Sequence, residues 1–73
     1  MVLNIKKGGD PLRFTEKLKA LRGDRPQSEV AKAVGIAAST YSMYENGERN
    51  PSDPVKIRIA DYFGVTVQYI FFE

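Results

Sequence analysis

The chain has 73 residues, the size of one small domain whose single core leaves only a few kcal/mol of net stability. It contains neither cysteine nor histidine, which excludes disulfides, structural zinc, thiol nucleophiles and histidine acid–base chemistry. Eleven Lys and Arg stand against nine Asp and Glu, and a net charge of +2 is too mild to argue for nucleic-acid binding from bulk charge.

Residues 1–9 read as an irregular or extended leader, because Gly8-Gly9 interrupts any periodicity, and residues 10–73 read as one domain without repeats or long linkers. Asp10 suits an N-cap and Pro11 the first position of a helix. Phe14, Leu18 and Leu21 then form a buried stripe, with Glu16, Lys17 and Lys19 outside, and this first helix should end near Arg22-Gly23. Val30, Ala31 and Val34 gather on one side of a second helix over about residues 27–34, which Gly35 ends. Ile36 can plug the corner before a third helix, about residues 38–45, that turns Tyr41 and Tyr44 inward. Its opposite face, Ala38, Ser39, Ser42 and Met43, is small or flexible and fits a DNA major groove about 12 Å wide. The turn formers of residues 46–52 make a loop. Ser52 or Asp53 can cap a fourth helix with Pro54 in its first turn, Val55, Ile59, Ala60 and Phe63 on its core side and Gly64 at its end. Thr66 caps a last short helix from residue 67 to about 72.

Four stretches carry a resemblance: Pro-Gln-Ser-Glu-Val-Ala (26–31), Val-Gly-Ile (34–36), Ser-Thr-Tyr-Ser (39–42) and Tyr-Glu-Asn-Gly-Glu-Arg-Asn-Pro-Ser (44–52). Together they resemble the Cro/cI-type, or XRE-type, repressor domain, and residues 57–72 resemble the last two helices of that family. The resemblance covers about residues 12–72. It implies an all-α, compact five-helix lambda-repressor-like DNA-binding domain with its helix-turn-helix at about 27–45. It also implies a bacterial or bacteriophage transcriptional regulator, with repression as the family's usual mode.

Residue by residue, the resemblance marks Ala38, Ser39, Ser42 and Met43 as facing bases. Gln27 would reach a phosphate or brace a side chain of the reading helix, and Ser28 would donate to a phosphate beside it. Thr40 would bond a phosphate or fill the first turn of the reading helix. Asn46, Arg49 and Asn50 would meet the DNA backbone from the loop. Arg22 and Glu45 stand where the family pairs an arginine late in helix 1 with the glutamate that ends the reading helix, so a structural salt bridge is expected. None of the base-facing residues forms the bidentate Arg–guanine or Gln–adenine pairs worth ~1–3 kcal/mol of discrimination. Direct readout should therefore be modest, and specificity should lean on DNA shape, bridging water or the leader.

Two departures from the family pattern concern helix starts. Ala37 stands where a Ser, Thr or Asp usually caps the reading helix, at a cost of ~1 kcal/mol. Pro26 replaces the usual hydroxyl cap of helix 2, and Asp24 with Gln27 could form a capping box instead.

The expected partner is a pseudo-palindromic double-stranded DNA operator, bound by a homodimer whose reading helices lie one DNA turn, ~34 Å, apart. Ile57, Tyr69, Phe71 and Phe72 are the candidate dimer surface, since adjacent Phe71 and Phe72 cannot both face one way on a helix. The alternative is an antitoxin-like or other protein-interaction module that uses this aromatic C-terminal surface. An enzyme is disfavoured, because without His, Cys or a Gly-rich phosphate loop only a Ser-Lys or carboxylate site remains. No cofactor or metal is expected. No run approaches the ~20 apolar residues of a membrane span, and residues 1–9 lack a signal-peptide core, so the expected location is cytoplasmic, at the nucleoid when DNA is bound. Met1 at the head makes a complete small protein plausible, and a domain cut from a longer regulator is equally compatible with the sequence.

Overall fold

The computed structural model describes residues 13–72, which form five helices in the order α1 (Phe14–Arg22), α2 (Gln27–Val34), α3 (Ala38–Asn46), α4 (Asp53–Phe63) and α5 (Val67–Phe71). Each helix is short, so its stability comes from burying one apolar stripe rather than from propensity. Leu18, Val30, Ala31, Val34, Tyr41, Tyr44, Ile59, Ala60 and Ile70 make one continuous core. Phe14, Leu21, Ile36, Val55, Phe63 and Phe71 pack around its edge. α3 lies between α1 and α2, α4 packs on α2, and α5 closes the base against α4 and α1.

The boundaries follow local chemistry. Arg13, with extended backbone angles, is the N-cap of α1, and its N–H donates to Glu16 Oε1 at 3.1 Å. The helix thus opens later than the Pro11 start expected from the sequence; Asp10 and Pro11, like the whole 1–9 leader, lie outside the described residues. At Gly35 the backbone turns left-handed, φ 87° and ψ 33°, which lets Gly35 N–H reach Ala31 O at 2.8 Å and Ile36 N–H the same carbonyl at 3.0 Å. That conformation favours glycine, and it sets the corner between α2 and α3. Gly47 repeats the device after α3, extending that helix one residue past the expected end. A Cβ at Gly47 would meet the Thr15 side chain at 3.5 Å, so the turn also sits close on α1.

Three expectations are corrected. Lys17 is buried, not outside: its Nζ donates to the Tyr69 carbonyl at 2.6 Å and lies 5.0 Å from the Tyr69 ring centre. A helical wheel of α1 alone cannot show that α5 covers this side, or that carbonyls near the end of α5 need a donor. The Asp24–Gln27 capping box is absent, because Pro26 is the N-cap of α2 and the Gln27 side chain bonds elsewhere. Ser52 is the N-cap of α4 but gives no side-chain hydrogen bond. Thr66 does cap α5, accepting from Tyr69 N–H at 3.0 Å, and that helix ends at Phe71, one residue early.

Candidate nucleic-acid interface

α3 has two unlike faces. Inward, Tyr41 and Tyr44 are buried with their rings edge to face at 6.5 Å, which fixes the rotation of the helix in its seat. Outward, Ala38 and Ser39 are exposed, Ser42 and Met43 half-buried, and Thr40 is half-buried at the flank. The first turn of α2 offers half-buried Gln27 and exposed Ser28. The loop after α3 keeps Asn46, Arg49 and Asn50 exposed while Pro51 is buried and anchors it. Neither Pro26 nor Ala37 supplies a side-chain cap, so the first-turn N–H groups of α2 and α3 keep their partial positive charge for an incoming anion.

A buried carboxylate holds this arrangement. Glu45 is 1% exposed, and the Arg22 guanidinium grips it with two bonds, Nε to Oε2 at 2.7 Å and Nη2 to Oε1 at 3.0 Å. Gln27 Nε2 donates to the same Oε1 at 3.0 Å. One carboxylate therefore ties α1, α2 and α3 together, and of the two roles open to the Gln27 amide, its N–H serves the brace. Burial pushes the Glu45 pKa up, but the bonds from Arg22 and Gln27 outweigh it and hold the carboxyl below its ordinary range. The same pairing raises Arg22. The buried Tyr41 hydroxyl, beside this carboxylate but without a hydrogen bond of good geometry, is pushed far above its ordinary pKa, first by burial and then by Glu45.

Several cations that composition would offer to DNA are engaged inside the fold. Arg25 donates to Leu21 O at 2.6 Å, to Arg22 O at 3.0 Å and to the Tyr62 hydroxyl at 3.2 Å. Its guanidinium also lies 5.2 Å and 5.3 Å from the ring centres of Tyr62 and Phe63. Arg22 Nη1 donates to Arg25 O at 2.8 Å, and Arg58 Nε to Val34 O, also at 2.8 Å, closing the end of α2. Sequence reading missed Arg25 and Arg58. Each answers helix-end carbonyls, and Arg25 also meets an aromatic pair far along the chain, neither of which helical periodicity registers.

The C-terminal surface is apolar. Ile57, Tyr69 and Phe72 are exposed, whereas Phe71 is half-buried with its ring 5.6 Å from that of Phe14. Lys56 Nζ lies 5.3 Å and 5.0 Å from the Phe71 and Phe72 rings. Adjacent positions thus part as their angular separation on a helix requires, one ring inward and one to solvent.

The sequence profile described as Helix-turn-helix matches residues 18–70. The chain belongs to the Cro/cI-type (XRE) helix-turn-helix family. It is 34% identical over 56 residues to the cryptic phage CTXphi transcriptional repressor RstR of Vibrio cholerae, a match covering 74% of this chain and 50% of that protein. An uncharacterized HTH-type transcriptional regulator of Methanocaldococcus jannaschii is 35% identical over 57 residues, 75% of this chain and 86% of that one. The uncharacterized HTH-type transcriptional regulator YqaF of Bacillus subtilis is 47% identical over 47 residues, 64% of this chain and 60% of that one. The chain spans about half the length of RstR. No solved structure matches with significance. In this helix-turn-helix domain the two helices of the motif are α2 and α3, and the charged clamp behind them is built from α1, α2 and α3. Among the described residues no helix is long and apolar enough to cross a membrane.

Proposed function

We propose that this helix-turn-helix domain is a sequence-specific DNA-binding transcriptional regulator, acting as a repressor. It lays α3 in the major groove with Ala38, Ser39, Ser42 and Met43 toward the bases. The observation that carries the reading is the contrast across α3: a small, exposed outer face on a helix whose inner face is locked by buried tyrosines and the Glu45 clamp. Ser28, Thr40, Asn46, Arg49, Asn50 and the open N-termini of α2 and α3 meet phosphates, with Gln27 bracing from behind. With Arg22, Arg25 and Arg58 already engaged within the fold, non-specific attraction is weak. The domain binds a pseudo-palindromic operator as a homodimer, and the exposed Ile57, Tyr69 and Phe72 supply the self-contact. Occupying a promoter needs only binding, with neither cofactor nor catalysis.

The exposed aromatic surface also favours a second reading, a protein-interaction module of the antitoxin kind. Titrating isotope-labelled protein with a ~20-base-pair duplex at low salt, following each backbone amide, separates the two. Shifts at Gln27, Ser28 and residues 38–50 that fade as salt rises support DNA reading. Silence there, or scattered shifts without salt dependence, moves the function to residues 57–72.

A further inference from the structure

We infer that the domain identifies its operator chiefly through thymine C5-methyl groups, with Met43 as the specificity-determining residue and Ala38 beside it at the start of the helix. The inference rests on the DNA-reading function proposed above. The outer face of α3 offers two hydroxyls, one methyl and one thioether, and no guanidinium, ammonium or carboxylate. Ser39 and Ser42 donate or accept with several base edges and so single out none. Among the four bases only thymine places an apolar group in the major groove, and Ala38 and Met43 are the groups here that match it. Met43 is well placed to do so. It is half-buried, and its flexible, polarisable thioether can settle on a methyl. Thr40 carries a methyl too, but at ~100° per residue it lies at the flank, next to inward-facing Tyr44, whereas Met43 lies nearer the outer side. On α3 only Asn46 could pair with adenine in two bonds, but it is the last helical residue, beside left-handed Gly47 and the exposed loop proposed to meet the DNA backbone.

A consequence is that cytosine methylated at C5 presents the same group at the same place. At a position read through its methyl, 5-methylcytosine should restore part of what a thymine-to-cytosine change removes, so this domain responds to cytosine methylation in the operator.

The test begins with selection of an operator from random duplexes using the full chain. Each thymine is then replaced singly by deoxyuridine, which keeps the base pair and deletes only the methyl. The expected result is about fourfold weaker binding at one or two positions, the effect of exposing one buried methyl. At the position Met43 reads, that ratio falls to about one for Met43→Ala and survives in Met43→Leu, which keeps an apolar side chain of similar volume. Circular dichroism of both variants confirms that they are folded. If the duplex binds but deoxyuridine is neutral at every position, the methyl reading is overturned while the DNA-binding reading stands. A deoxyuridine effect unchanged in Met43→Ala overturns the assignment to Met43. Failure to select any operator overturns both.

Discussion

The two faces of α3 use opposite physics on the same nine residues. Inward, Tyr41, Tyr44 and Glu45 are at most 5% exposed, and the single charge among them is held by Arg22 and Gln27. Outward, Ala38 and Ser39 are exposed and Ser42 and Met43 half-buried, and none of the four carries a charge that the fold must satisfy. A buried charge is costly unless fully bonded, so the inner face is sensitive to the loss of either partner alone. On the proposed function, fold and specificity are thus carried by different residues of one helix.

The largest expected effect breaks the inner face. Arg22→Ala leaves Glu45 buried without its cation and should lower stability by about 3–5 kcal/mol, enough to unfold most of a domain this small. Replacing both partners by Met should recover much of that loss, because no charge is then stranded. Ser39→Ala, on the outer face, should stay within about 0.5 kcal/mol of the parent. Urea unfolding of the three variants decides the matter; equal losses for Arg22→Ala and Ser39→Ala would sink the comparison.

Acid tests the same clamp without mutation. Because the folded Glu45 carboxyl lies below its ordinary value, its contribution is present at neutral pH and lost as pH falls through that lowered value. Urea midpoints should therefore drop below the ordinary carboxylate range, near pH ~4, and Glu45→Gln should flatten the part of that drop due to this group. A parallel pH profile in the variant would show that other carboxylates dominate.

A smaller effect sharpens the boundary between the faces. Thr66 shows what a hydroxyl cap does in this chain, accepting the Tyr69 N–H at the start of α5, whereas Ala37 leaves the first turn of α3 without one. Ala37→Ser should add about 1 kcal/mol of stability. It should also weaken operator binding, since the new cap competes with phosphate for the same N–H groups. Stabilisation with unchanged affinity would mean that the start of α3 does not face the DNA backbone.

Much of this was legible in the chain because it depends on near neighbours. Val30, Ala31 and Val34 declare one face of α2 by spacing, and Gly35 and Gly64 end their helices because a left-handed residue favours glycine. The resemblance to Cro/cI-type domains carried the pairing of Arg22 with Glu45, which spacing alone would not have suggested. The small outer face of α3 was readable as the complement of its two inward tyrosines.

By itself, then, the sequence determined the order of helices, their apolar stripes, the all-helical class and the absence of His and Cys chemistry. Tertiary structure decided what the long cationic side chains do. Lys17 turned from an outer charge into the donor that pins α5, Arg25 became a plug over Tyr62 and Phe63, and Arg58 the closing bond of α2. Gln27 gave up a capping box for the Glu45 brace. The physical reason is reach: a flexible side chain finds its partner in whatever element packs over it, and a buried carbonyl or carboxylate must be satisfied by whatever donor arrives.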